Sequence, residues 1–231
     1  MKRQNIIILL MTLLLICIGL LSNAQSINAD RPGIATGPNV LSLYKVQIET
    51  GSYYASSLDI SYNNTLLRVG ILENIELRVG SNYVNSMSVI GFQPLIVGLK
   101  IKLFDQDGII PAISYMPILQ LPIAKEEFNP HTVYPDHYFL FKNDITNKLS
   151  ICYNLGWEYN GEDFIGMSGL SCNYEILKSF NIFIEGYNKL LHYGYDFGIT
   201  KVINNNIQLD LSYISTNKSV NVGISYLFSK K

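Results

Sequence analysis

The stretch that decides the fold is Ser219-Val220-Asn221-Val222-Gly223-Ile224-Ser225-Tyr226-Leu227-Phe228. Val220, Val222, Ile224, Tyr226 and Phe228 alternate with Asn221, Gly223 and Ser225. Successive side chains of a β-strand point to opposite faces, so this spacing makes one face apolar and the other small and polar. Upstream the rhythm repeats. Ile207, Leu209, Leu211 and Tyr213 alternate with Gln208, Asp210 and Ser212, and Tyr193, Tyr195, Phe197 and Ile199 with Gly194, Asp196 and Gly198. Leu149 to Tyr159 carries six apolar residues in the same step, and Tyr44, Val46 and Ile48 alternate with Lys45, Gln47 and Glu49.

Period-two segments cover 44–55, 64–71, 75–84, 94–104, 109–121, 137–144, 148–159, 163–174, 180–188, 192–201, 206–215 and 219–228. That is an all-β chain of about 12 strands. The alternating stretch 57–63 either extends the second strand or stands alone, so 10 to 14 strands are compatible with the pattern. Every second connection is tight, as at Leu72-Glu73-Asn74, Asp105 to Gly108 and Ile145-Thr146-Asn147, while the longer ones, 85–93 and 122–136, fall on the opposite end. Such sorting is expected of a transmembrane antiparallel up-and-down β-barrel with periplasmic termini. A secreted β-sandwich is the competing fold, but it has no reason to sort its loops.

The N-terminus fits export. Lys2 and Arg3 precede an apolar run from Ile6 to Leu21, and Ser22-Asn23-Ala24 offers a small-residue cleavage site. Residues 1–24 read as a signal peptide cut after Ala24, 25–43 as a periplasmic N-terminal segment and 44–228 as the barrel. The apolar run is shorter than the roughly 20 residues a spanning helix needs. The chain is 48% apolar and only 15% charged, with 16 tyrosines and 10 phenylalanines. Ordinary soluble domains carry about 25% charge, and a lipid-facing barrel accounts for the shortfall. Without Lys2 and Arg3 the chain holds 15 basic and 18 acidic residues. No basic block points to nucleic acid. Cys152 and Cys172 read as free thiols from their phasing, with a cross-strand disulfide left open.

Alternation assigns Glu49, Arg68, Glu76, Arg78, Lys100 and Lys102 to the lumen, because a charge facing lipid at the midplane costs about 2–4 kcal/mol for Arg or Lys. They form either a charged constriction or an ion-pair network that stiffens the barrel. Asp30 and Arg31 are candidates for a small plug at the periplasmic mouth. The loop 122–136, with three prolines and Lys125, Glu126, Glu127, Phe128, His131 and Tyr134, is a candidate recognition element. Tyr153, Trp157, Tyr159, Tyr187 and Tyr193 read as interfacial girdles. Asp136 and His137 are adjacent in a strand and point apart, and no catalytic or metal-ligand spacing stands out, so the chain reads as a non-enzyme without a cofactor.

Two resemblances add to this. The closing strand, with Tyr226 and Phe228 in phase, resembles the C-terminal signal that the barrel-assembly machinery reads, although Ser229-Lys230-Lys231 follow it. Asp30-Arg31-Pro32-Gly33, Val46 to Gly51, Asn64 to Gly70, Asn74 to Gly80 and Gly98 to Phe104 together resemble the MetA-pathway of phenol degradation family of outer-membrane "transporter" proteins. The resemblance implies a barrel in the outer membrane, in contact with its lipid, acting as a channel or transporter for small solutes, hydrophobic or aromatic ones among them. The alternative is a non-conducting barrel that presents its outer loops to partners.

Overall fold

The structure is a computed structural model that describes residues 27–55, 60–189 and 192–228. The leader 1–24 with its cleavage site, and the tail 229–231, lie outside the described residues. Thirteen strand segments follow one another: β1 Val46–Ala55, β2 Ile60–Leu72, β3 Ile75–Ser86, β4 Ile90–Phe92, β5 Leu95–Phe104, β6 Ala112–Leu121, β7 Tyr134–Asp144, β8 Leu149–Tyr159, β9 Phe164–Leu177, β10 Phe180–Lys189, β11 His192–Asn204, β12 Ile207–Ile214 and β13 Ser219–Phe228. Each pairs antiparallel with its sequence neighbour, except that β4 and β5 both pair with β3 and not with each other, and β1 pairs with β13 from Val46↔Phe228 to Tyr54↔Val220. The ring is therefore closed, which excludes the sandwich.

The thirteen segments make twelve staves. Both β4 and β5 pair with β3, as Tyr83↔Phe92 and Gly80↔Ile96. One extra residue lies between those two registers, at Gln93-Pro94. The Pro94 ring removes an N–H from the ladder, so the stave bulges there. Asn82 Nδ2 (2.8 Å) donates to Gln93 Oε1, and Ser81 Oγ (2.9 Å) to the Gln93 carbonyl, which fixes the bulge. Alternation alone does not reveal it. The fifth sequence-read strand also starts later than expected, at Ala112. Asp107 and Ile110 form a bridge of their own, Gly108 takes a positive φ of 56°, and Pro111 has no N–H to donate. Of the alternating stretch 57–63, the described residues 60–63 belong to the second strand, Ile60–Leu72.

Alternation sorts the two faces. Leu155, Trp157, Leu170, Phe197, Leu211, Val222 and Ile224 stand exposed on the outside. Glu49, Arg68, Glu76, Lys100, Asp196 and Asp210 are buried on the inside. A soluble domain does not expose an apolar band that circles the molecule, whereas a barrel in lipid requires one. Tyr226 and Phe228 lie on this outer face, edge to face at 4.8 Å. Cys152 is buried and Cys172 exposed, and both are free.

Twelve strands about 4.8 Å apart and tilted by about 40° enclose a cylinder roughly 24 Å across, backbone to backbone. Side chains from opposite walls leave a gap of about 10 Å at that width. The gap is filled from within. Residues 27–43, the described part of the stretch read as a periplasmic segment, run inside the barrel, and both of their ends stand at the end of the short turns. Ile27 N donates to Asn205 O (2.8 Å) beside the β11–β12 turn, and Tyr44 N to Gly70 O (2.8 Å) beside β1 and β2. Ile27, Leu41 and the inward-facing Leu227 form a small apolar cluster there, with Val202 against it. The segment is thus a loop whose base is pinched shut by apolar contact.

Candidate functional site

The loop is held by hydrogen bonds and ion pairs to nine of the twelve staves, among the described residues. Its two charged residues, Asp30 and Arg31, divide the lumen between them. Asp30 turns to the wall made by β2, β3 and β5. Arg78 Nη1 (2.6 Å) and Lys100 Nζ (2.8 Å) both donate to its carboxylate, and Arg68 Nη1 lies 3.7 Å away. Arg68 is the hub of that wall. It donates to Glu49 (2.6 Å) and, from Nε and Nη2, to both oxygens of Glu76 (2.8 Å each). All three side chains are at most 1% exposed. Such short, charge-assisted and partly bidentate bonds are the strong kind.

Arg31 turns the other way. Its guanidinium donates to both oxygens of Asp210 on β12 (3.2 and 3.0 Å), to Asn64 Oδ1 (2.6 Å) and to Asn221 Oδ1 (2.9 Å). Gly51 and Gly223 face each other in register behind it. A Cβ at either position would overlap the guanidinium, so the two glycines form a slot that it fills. Further along, the Glu185 carboxylate on β10 accepts the backbone N–H groups of Ile34 (2.6 Å) and Ala35 (2.9 Å). Asp196 sits opposite Glu185 in register on β11 and accepts from the Tyr187 hydroxyl (3.1 Å). The loop then returns across Asn154, Ser114 and Lys100. Lys100 Nζ donates to Gly37 O (2.9 Å), and Glu76 accepts Leu41 N (2.9 Å).

On either side of the loop the lumen opens. Toward the long loops lies a chamber of about 790 Å³, lined by Tyr53, Leu66, Tyr187, Ile214 and Thr216, with Arg31 and Arg78 in its floor. Toward the turns lies one of about 240 Å³, lined by Asn28, Lys142, Cys152, Asn173 and Gln208. Asp30, Arg31, Pro32 and Gly33 line both. The loop is the partition between the two chambers.

The sequence-read residues fall as follows. Glu49, Arg68, Glu76, Arg78 and Lys100 come together with Asp30 in one buried network. Lys102 does not join them: it pairs with Asp105 (3.0 Å) at the turn end, where both side chains reach water. Lys125, Glu126, Glu127, Phe128, His131 and Tyr134 lie outside both chambers. Glu126–Phe128 form a 3-10 turn, Lys125 pairs with Glu127 (3.0 Å) on the surface and packs over Gly91, and Tyr134 stands edge to face with Tyr159. His131 is exposed, with a φ of 60°. Tyr187 is not part of an outer girdle: it is 7% exposed and faces the lumen. Ile182 and Ile184 take the outer face of β10, which leaves Phe183, Glu185 and Tyr187 for the inner one. Glu185, Asp196 and Asp210 were missed as site residues. Inward parity marks all three, but only the path of the loop shows what they hold.

Burial alone would raise the Asp30 carboxyl, but Arg68, Lys100 and Arg78 outweigh it and hold the group well below the usual carboxylate range. A depressed folded-state value stabilises the fold above the unfolded value and loses that contribution only as pH falls through the folded one. Exposed aspartates protonate near pH 4. The stability cost of Asp30→Asn is therefore expected to be equal at about pH 7 and about pH 5, shrinking only below about pH 4. Urea unfolding of both proteins across that range measures it, and a cost that vanishes by pH 5 contradicts it. A second expectation concerns the slot. Gly223→Val pushes Arg31 off Asp210 at a cost of about 1–3 kcal/mol and raises ion conductance, without changing a charge. Unaltered conductance from a folded Gly223→Val barrel would show that Arg31 does not sit in the slot.

A family described as "Putative MetA-pathway of phenol degradation" matches residues 29–230. No curated protein matches the chain. Among solved structures it is similar to the KdgM porin (TM-score 0.58, 12% identity, 78% of this chain and 98% of that one). It is also similar to the NanC porin (0.56, 12%, 78% and 98%) and to an outer-membrane channel from Pseudomonas putida F1 (0.55, 12%, 85% and 99%). At that identity the likeness is one of fold: a closed antiparallel barrel of the porin type.

Proposed function

The chain belongs to the MetA-pathway of phenol degradation family, and from that premise we propose that it is an outer-membrane channel for small solutes, closed at rest by its own N-terminal loop. The observation that carries the reading is the partition: Asp30, Arg31, Pro32 and Gly33 line the chambers on both sides of it. A barrel meant only as a scaffold has no need of two solvent chambers that face opposite ends. The leader delivers the chain to the periplasm, the barrel-assembly machinery reads Tyr226 and Phe228, and the apolar band then meets the lipid of the outer membrane. With both termini on the periplasmic side, the loop is anchored there and the larger chamber opens outward. Glu49, Arg68, Glu76, Arg78 and Lys100 act in this reading as the seat of the loop. Lys125, Glu126, Glu127, Phe128, His131 and Tyr134 cover the outer end.

The test is solute entry into liposomes that carry the refolded protein. The full chain should admit small solutes slowly, and withdrawal of the loop should raise the rate. A folded barrel that stays silent once the loop is gone overturns the reading and favours the non-conducting alternative.

A further inference from the structure

The geometry points to a small zwitterion, with a carboxylate at one end and a cationic group at the other, as the solute that the two walls bind once the loop withdraws. The inference rests on the proposed reading of the loop as a displaceable plug. It goes beyond that reading by naming what takes the loop's place.

Asp30 and Arg31 are neighbours in the chain, carry opposite charges and reach separate arcs of the ring, Asp30 toward β3 and β5 and Arg31 toward β12 and β13. Asp30 meets Arg78 (2.6 Å) and Lys100 (2.8 Å), and Arg31 meets Asp210 (3.0 Å). The dipeptide is in effect a ligand that the protein supplies to itself. Without it, one wall presents Arg78 and Lys100 and the other presents Asp210, with Glu185 and Asp196 beside it. Among the described residues Asp210 makes its ion pair with Arg31, and Lys100 makes its own with Asp30. Each wall is thus left with a net charge of one sign, since Glu49 and Glu76 offset two of the three cations Arg68, Arg78 and Lys100, at a separation that two adjacent residues span.

A simple anion would satisfy Arg78 and Lys100 and leave Asp210 bare. A simple cation would do the reverse, and a neutral solute would leave both bare. Uncompensated charge in a narrow, protein-lined lumen is costly, so these walls discriminate by what each wrong solute leaves unpaired. The cationic end has a built place as well. Gly51 and Gly223 leave the guanidinium slot empty of side chain, and Asn64 and Asn221 turn carbonyl oxygens toward it.

Single-channel recording with the full chain tests this. The double variant Asp30→Ala/Arg31→Ala keeps the loop and removes its charges, and Asp30→Asn/Arg31→Gln serves the same purpose with less loss of volume should the first misfold. The probes are 4-guanidinobutyrate, butyrate and butylguanidinium. In either variant 4-guanidinobutyrate should block current at about fivefold lower concentration than the other two. Adding Asp210→Asn should abolish that advantage. Equal block by all three, or strongest block by butyrate, overturns the inference while the plug reading stands. No rise in conductance in either folded variant overturns the plug reading, and this inference with it.

Discussion

Arg68→Ala is expected to cost roughly 3–5 kcal/mol of stability, the loss seen when one partner of a buried ion pair is removed. At about 1.4 kcal/mol per factor of ten, the ratio of folded to unfolded protein falls by about two to three and a half orders of magnitude. The size follows from what is left behind. Glu49 and Glu76 are at most 1% exposed, and Arg68 meets both at 2.6–2.8 Å. Arg78 also touches Glu76 (2.7 Å), so that carboxylate keeps one cationic partner beside the Leu41 N–H. Among the ion pairs of the described residues, Glu49 has Arg68 alone. The remainder of the wall cannot rearrange cheaply, because Gln47 and Arg68 face each other in a continuous ladder. Urea unfolding followed by the fluorescence of Trp157 measures the effect. Glu49→Gln on top of Arg68→Ala should recover part of the loss, since it removes the stranded charge. If Arg68→Ala unfolds like the wild type, the network is not what holds this wall together.

Removal of residues 28–43, with 1–27 kept, is expected to raise single-channel conductance by at least about tenfold, from a partitioned lumen to a gap near 10 Å wide. The barrel should still close, because closure rests on the β1–β13 ladder and not on the loop. Heat-modifiable gel migration checks that the ring has formed. The open form should also be less stable than the full chain, since Lys100 and Asp210 lose the partners that the loop provides. The two readouts move in opposite directions, which separates loss of the plug from general damage. A deletion that folds and conducts no better than the full chain would mean that the partition is not the barrier.

Much of this molecule is legible in its sequence. The strands followed from one rule, that a lipid face and a lumen must alternate, and the same rule turned Glu49, Arg68, Glu76, Arg78 and Lys100 inward. What it missed has physical causes. The bulge at Gln93-Pro94 shifts register by one residue, and the shift shows only when both partners are known. Lys102 has inward parity but stands too near the turn to be enclosed. On β10 the aromatic residues occur on both faces, so Tyr187 looked like part of an outer girdle. The loop had no periodicity to read at all. Its path is set by which carboxylates and amides happen to face its backbone, and no spacing in 27–45 encodes that. The role of Glu185 and Asp210 followed only from tracing it.

The base of the loop, pinched at Ile27, Leu41 and Leu227, sets how the loop responds to force. Both strands of its neck emerge from one end of the barrel, so the loop is not threaded through the ring. A load applied at Ile27 from the turn side meets the attachments in series: first the apolar pinch, then the Asn28 carbonyl held by Arg68 and Gln47, then Asp30, then Arg31, then the Ile34–Ala35 amides. They yield one after another, as in unzipping, and the rupture force is that of the strongest single link instead of the sum. A load from the opposite side finds no free end to pull. The closure is mechanically polar, soft toward one compartment and rigid toward the other.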